Sequence, residues 1–354
     1  MCSMLTQMLD VVSYDGYHID ARLCLPKENV RTIVIGVNGS GPQTYTTKRK
    51  LPDGTSFQYY DIWAKGFTDR GMGFCSYSQR GVIDADEPPY FVQIDEEKYK
   101  QYLPHNSVAD VESIIASINQ KYPYTKILLL GFSEGTILAT QVALRKKAAI
   151  NALLLIGYCG ENLRDTLEWQ LSGHTILLQW QRFFDYDKKG YIDRSDIEQD
   201  RYKVYKDIFG TKRFEELDLD GDGRITVSDT KPLCLEHRNN LLKAIETGDD
   251  DWLKNNHGVR LTSGWFKEHF SMVATKNVIT QLDIPIHIFS GEYDSMTPIE
   301  QAQETKAEFD RLGKNNMVLH TFLNHDHDLN FLKYLLTGEY SDGMKAVLDT
   351  ANCL

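Results

Sequence analysis

The chain predicts an α/β fold: a mostly parallel sheet with helices on both faces, plus a helical insertion late in the chain. Three observations predict it. Short apolar runs alternate with amphipathic helical stretches through the first 160 residues. That alternation stops from about 161 to 278 and resumes over 279–354. Several apolar runs end directly in glycine-rich or acidic turns, where open α/β sheets gather their functional groups.

Residues 8–25 read as a hairpin turning at Asp15-Gly16. TIVIGV (32–37) is a buried strand that leaves into NGSGP. Residues 56–71 have helical spacing, and GFCSYS (73–78) is the next strand. Residues 107–122 form an amphipathic helix opened by the cap signal Ser107-x-x-Asp110. KILLL (126–130) is a strand, 136–148 a helix and INALLLIG (150–157) a strand. After the interruption come the strand 284–291, a helix from Thr297 with Glu300 completing a capping box, the strand 317–323 and a last helix from about 329. The domain reading is a core of 1–160 and 279–354 with an insertion at 161–278.

With 354 residues, 42% hydrophobic and 11% aromatic, the chain can bury a sizeable core. Its formal net charge of -11 repels phosphate backbones and anionic lipid, which argues against nucleic-acid and peripheral-membrane partners. Cys2, Cys24, Cys75, Cys159, Cys234 and Cys353 are scattered without a CxxC, a pattern of reduced thiols, with Cys24, Cys75 and Cys159 in apolar, buried settings. MCSMLTQMLD has no basic segment followed by an apolar run, and no apolar run reaches about 18 residues. A cytoplasmic location is the expectation.

GFSEG (131–135) fits a strand-to-helix turn with a serine exposed at its apex. Glycines two residues either side avoid collision with the neighbouring elements. The pentapeptide is only moderately specific, and a plain glycine turn is the bland alternative; the strand before and helix after it favour the turn that exposes Ser133. A serine hydroxyl needs a base, and the order for this architecture is Ser, acid, His. Asp294 follows a strand in GEYDSMTP, with Glu292 the weaker acid. His327 and His325 both follow the strand 317–323; His327 is preferred because HDLN leads into the last helix. His320 reads as structural, and the remaining histidines as ordinary. Oxyanion donors would be the backbone N–H of Ser40, in NGSGP, and of Glu134, next to the nucleophile.

GSGPQ (39–43), GFSEG, GEYDSMTP (291–298) and DHDLN (326–330), in this order, resemble the α/β-hydrolase superfamily, and within it serine esterases with HGSGP-type and GHSEG-type motifs. The resemblance covers about 1–160 and 279–354. It implies Ser133 as nucleophile, Asp294 as orienting acid and His327 as general base. Asn38 and Phe132 replace the usual histidines, and TYTTKRK replaces a charged run, so substrate class is what these departures affect. In this superfamily an insertion at 161–278 forms a cap over the site.

Within that insertion, DLDGDGRITVSD (218–229) matches a calcium-binding EF-hand loop. The ligands would be Asp218, Asp220, Asp222, the carbonyl of Arg224, Thr226 through water, and Asp229. Gly223 makes the turn and Ile225 packs loop to loop. Asp229 replaces the usual Glu, as in bacterial dockerin-type modules. An upstream loop, DYDKKGYIDRSD (185–196), begins 33 residues earlier. Asp185, Asp187, the Tyr191 carbonyl, Asp193 and Asp196 match ligand positions, with Ile192 set to pair with Ile225. Position 5 is Lys189, a cation, so this loop either binds calcium or is a metal-free structural partner.

The leading expectation is therefore a serine hydrolase acting on a carboxylic ester or thioester, with structural Ca2+ in a cap of paired EF-hand-like loops and no organic cofactor. A peptidase or lysophospholipase would use the same triad. A non-catalytic calcium-binding interaction protein on a hydrolase scaffold is the alternative class. A calcium sensor would want a methionine-rich face, and Met272 is the one methionine in 161–278. Tyr59, Tyr60, Trp63, Trp169, Trp180 and Trp265 are candidates for an acyl pocket, with ordinary core packing as the alternative.

Overall fold

Apolar runs flanked by turns become strands buried on both faces, because helices cover each side of the sheet. The computed structural model describes residues 4–27, 29–51 and 53–354; Cys2 lies outside them. The sheet strands are β1 (Leu5–Val12), β2 (His18–Leu25), β3 (Thr32–Val37), β4 (Gly73–Tyr77), β5 (Lys126–Phe132), β6 (Ala152–Ile156), β7 (Ile286–Gly291) and β8 (Met317–Phe322). In space they run β1-β2-β4-β3-β5-β6-β7-β8. β2 is antiparallel to both β1 and β4, and all other neighbours are parallel.

One face packs Ile33, Ile35, Leu129, Leu155 and Ile288 against helices Pro104–Lys121, Glu134–Arg145 and Ile299–Arg311. The other packs Val34, Leu128, Leu130 and Leu154 against helices Tyr59–Thr68 and Asp342–Cys353. The alternation of sheet residues between the two clusters is the period of two of a strand. From β3 the chain steps to β4 on one side, then crosses to β5 on the other. The loops leaving β3 and β5 therefore part at adjacent strands, which opens the crevice that serves as a ligand site in such sheets.

Several element boundaries differ from expectation by a few residues, four of them for an identifiable reason. The helix expected from Ser107 begins at Pro104, whose fixed φ and missing N–H suit the first helical position. Asp110 does not cap it; its carboxylate takes two hydrogen bonds from the buried Arg80, at 2.8 and 2.6 Å, and one from Ser13 at 2.6 Å. Residues 56–58 are extended and pair with 48–50, so that helix begins at Tyr59. The helix after Asp294 starts at Ile299 without a side-chain cap, because Thr297 turns its hydroxyl to Asp294 at 2.8 Å. The last helical region starts only at Leu332, since Leu329 and Asn330 adopt left-handed φ of 54° and 56°.

Residues 161–278 add no strand to the sheet. They leave and return at one place: the Lys276 N–H donates to the Gly160 carbonyl at 2.8 Å, and Asn162 Nδ2 donates to the Met272 carbonyl at 2.5 Å. Part of the segment shares a cluster with Tyr99 and Tyr102 from outside it, through Leu167, Leu241, Trp265 and Phe266. The loop region has its own small core, including Leu177, Phe184, Phe209 and Phe214. Its centre is the antiparallel pairing of Ile192 with Ile225, both fully buried, as the sequence pattern anticipates. Cys24, Cys75 and Cys159 are buried and unpaired, also as anticipated; Cys234 is buried and Cys353 exposed. Among the described residues no helix is long and apolar enough to cross a membrane.

Candidate active site

Ser133 ends β5 with φ 53° and ψ -119°, a conformation that non-glycine residues adopt only when the surroundings enforce it. The surroundings here are the two glycines. A Cβ at Gly131 would lie 2.6 Å from the Gly135 carbonyl oxygen, and one at Gly135 would collide with the Val37 carbonyl on β3. The turn therefore lifts the serine into the crevice between the β3 and β5 loops.

The loop after β3 sits against it. A Cβ on Gly39 would be 3.0 Å from the Phe132 carbonyl and 3.4 Å from Ser133 Cβ. Asn38, standing before that glycine, is fully buried; its amide donates to the Tyr77 carbonyl at 3.0 Å and accepts from Tyr60 Oη at 2.6 Å. Phe132 packs between Tyr59, Tyr60 and Trp63, with ring centroids 5.6–6.1 Å apart. The backbone N–H groups of Ser40 and Glu134 have no acceptor among the described residues.

Asp294 and His327 come from the loops after β7 and β8. Asp294 is 1% exposed and its carboxylate is saturated. It accepts from the backbone N–H of Met296 and Thr297, at 2.9 and 2.8 Å, and from the Thr297 hydroxyl. His327 Nδ1 lies 2.8 and 2.9 Å from its two oxygens. An ionised acceptor there assigns the proton to Nδ1 and leaves Nε2 as the free lone pair. Desolvation opposes the charged ring. The charge and hydrogen bond of Asp294 outweigh it, with further help from Asp328 and Asp326, and the ring is pushed up to about 9.

Ser133 and His327 line one cavity of about 350 Å³, with Ser40, Tyr59 and Trp265 among its other walls. Of the aromatic candidates, Tyr59, Tyr60 and Trp265 reach it. Trp63 is buried core, Trp169 stacks on His174, and Trp180 packs on Phe209 in the loop core. The alternatives to Asp294 and His327 are engaged elsewhere: Glu292 pairs with Lys188, and His325 Nδ1 meets the Leu323 carbonyl at 2.8 Å while its Nε2 faces the Gly343 N–H.

Two histidines read as ordinary belong to the site's surroundings. His257 lines the cavity; burial and the adjacent His237 push it down to about 4, so it is a neutral ring. His269 is fully buried against Glu134 at 2.8 Å. Glu134 also accepts from Tyr102 Oη at 2.7 Å and Trp265 Nε1 at 3.0 Å. A carboxylate beside Ser133 thus ties the turn to helix Ser263–Ser271. The one sequence signal was a charge at a position the fold buries; its partners lie 32 to 135 residues away.

The loop region reaches the same place through helix Thr175–Phe184. Thr175 Oγ1 donates to the Ser295 carbonyl at 2.7 Å. Arg182 donates to Asp326 Oδ2 at 3.0 Å and Asn330 Oδ1 at 2.7 Å. These residues flank Asp294 and His327.

The two loops differ in what fills them. Carboxylate oxygens of Asp218, Asp220 and Asp222 lie within 4.8 Å of one another. The Asp222 N–H pulls Asp220 down, but desolvation and the charges of Asp229, Asp222 and Asp218 outweigh it and raise its pKa. Such a like-charge group of oxygens suits a hard divalent cation. Asp229 stands behind the trio, its oxygens accepting from the N–H groups of Leu219 and Thr226, both at 2.7 Å. In the first loop no comparable trio forms among the described residues; the Lys189 ammonium lies among the carboxylates instead. The expectation of calcium on Asp185, Asp187, Tyr191, Asp193 and Asp196 therefore meets a cation already supplied by the chain.

Comparison with known proteins adds the family. No curated protein matches the chain. Among solved structures, a thermostable carboxyl esterase from Bacillus coagulans, in complex with glycerol, superposes with a TM-score of 0.56 at 14% identity, covering 99% of each chain. A lipase in its open form gives 0.54 at 15% identity, over 98% of this chain and 99% of that one. A puromycin hydrolase gives 0.52 at 13%, over 99% of this chain and 39% of that one. Identities this low speak for the fold alone. Residues 51–332 match the family described as alpha/beta hydrolase fold, well over half of the chain. On that match, with the sheet order and the turn at Ser133 in agreement, the chain belongs to the alpha/beta hydrolase fold family.

Proposed function

We propose that the protein is a serine hydrolase of carboxylic esters or thioesters, with Ser133 as nucleophile, His327 as general base and Asp294 as its orienting partner. The observation that carries the reading is the Asp294–His327 pair, at 2.8 Å, whose histidine lines the same cavity as Ser133. Ser133 Oγ attacks the acyl carbon while His327 Nε2 takes its proton. The N–H groups of Ser40 and Glu134 receive the oxyanion. The tetrahedral intermediate collapses, the alcohol or thiol leaves with the proton from His327, and water repeats the sequence to release the acid. The aromatic walls suit an apolar acyl group.

In the same reading, residues 161–278 act as a cap. Calcium would be held by Asp218, Asp220, Asp222, the Arg224 carbonyl, Thr226 and Asp229, supplying charge neutralisation that stiffens the loop pair. The esterase and lipase names among the structural neighbours are consistent with this chemistry.

The test is intact mass after a fluorophosphonate probe, on the native protein and on Ser133→Ala. One adduct on the native chain and none on the variant is the expected result, followed by turnover on an ester and thioester panel. A folded, calcium-loaded native protein that takes no adduct would overturn the catalytic reading and leave a calcium-binding interaction module.

A further inference from the structure

The two loops share a backbone frame, and only position 5 exchanges an acidic ligand for a cation. In each, the first aspartate accepts from the glycine N–H at position 6: Asp185 from Gly190 at 2.8 Å, Asp218 from Gly223 at 2.9 Å. In each, the last aspartate accepts from the N–H at position 9: Asp196 from Asp193 at 2.9 Å, Asp229 from Thr226 at 2.7 Å. Position 5 is Asp222 in one loop and Lys189 in the other. The Lys189 ammonium reaches inward, 2.7 Å from Asp193 Oδ2 and 2.8 Å from Asp196 Oδ2, at positions 9 and 12 of the motif.

We propose that Lys189 is a tethered cation that permanently fills the first loop, so that the chain binds one calcium and the hold of helix Thr175–Phe184 on the Asp294 and His327 loops does not depend on metal. The stoichiometry of one rests on the calcium reading of the second loop given above, and the second part on the hydrolase reading.

The charges support it. Asp196 is 1% exposed and Asp185 is 7% exposed, so their carboxylates need compensation inside the loop. An ammonium gives it with no loss on dilution or chelation, because it is part of the chain. A divalent cation entering the same space would meet that ammonium as a like charge.

The filled loop is anchored to the site. It continues directly from helix Thr175–Phe184, which bonds to Ser295, Asp326 and Asn330. Its own Lys188 pairs with Glu292, two residues before Asp294. A loop that sprang open on metal loss would pull on both the acid loop and the base loop. A loop closed by lysine does not.

The test uses the full-length protein, stripped with chelator and titrated with calcium by calorimetry, beside turnover of a short-chain nitrophenyl ester. The native chain is expected to bind one calcium and to keep its turnover within about twofold after stripping. Lys189→Asp rebuilds the second set of ligands; it is expected to bind two, and its turnover to fall about tenfold or more on stripping and return with calcium. Lys189→Met, with neither cation nor ligand, is expected to bind one and to show lowered turnover that calcium does not restore. Native stoichiometry of zero or two overturns the first part, whatever the variants do. A Lys189→Met enzyme as active as the native one, or a native enzyme inactivated by stripping, overturns the second. Failure of the hydrolase reading shows separately, as a native protein that takes no fluorophosphonate.

Discussion

Gly157 lies so close to His327 that a Cβ added to it would sit 2.5 Å from the imidazole Cε1 and 2.8 Å from Nδ1. Gly157 has φ 60° and immediately follows β6, so the strand between β5 and β7 ends in the floor beneath His327. Gly157→Ala is expected to displace the ring and lower kcat by about 10²-fold, with a much smaller change in KM. Steady-state kinetics on one ester checks it; unchanged kcat would remove Gly157 from the positioning of His327.

The pH profile follows from the raised basicity of His327. The reaction needs the neutral ring, so kcat/KM is expected to rise with pH up to about 9. Asp326→Asn removes one of the charges that favour the cation, and is expected to move that limb to lower pH. The stability sign is the opposite one. A histidine raised in the folded state contributes stability that is fully present below its unfolded value near 6.5 and lost as pH climbs through about 9. Thermal unfolding of the native protein is expected to lose stability over that window, and His327→Gln to lack this component.

Glu134 collects three buried donors, from Tyr102, Trp265 and His269. Glu134→Ala leaves them without their acceptor and is expected to cost about 3 kcal/mol or more of stability. The backbone N–H of residue 134, the proposed oxyanion donor, survives the change. A folded Glu134→Ala at low temperature is therefore expected still to take the fluorophosphonate, and chemical denaturation measures the stability loss.

Calcium removal is expected to lower the melting temperature of the native protein. At about 100-fold excess over Kd, one bound calcium adds about 2.7 kcal/mol. Asp222→Ala is expected to abolish that difference between loaded and stripped samples, which differential scanning calorimetry reads directly.

Much of this architecture is legible in the residues, because its determinants are local. Leucine runs at 128–130 and 153–155 announce buried strands, and GFSEG announces its turn through the sterics of two glycines. What local pattern misreads is competition from afar. Asp110 looks like part of a helix cap until Arg80, 30 residues away, claims it. Glu134, His269 and Arg182 carry no local signature at all. Their roles arise mostly from partners more than a hundred residues away, brought together only when the insertion settles on the core.

The meeting of Gly160 and Lys276 has a consequence for how the sheet is assembled. β6 and β7 are neighbours, yet roughly 130 residues of chain separate them. Closing a flexible loop of that length before any contact rewards it slows folding. Once the intervening segment has drawn its own two ends to within a 2.8 Å hydrogen bond, β7 is delivered to its parallel neighbour β6 as if by an ordinary crossover connection. The long detour becomes a crossover in all but length, and the strand that leads to Asp294 arrives with its address already set.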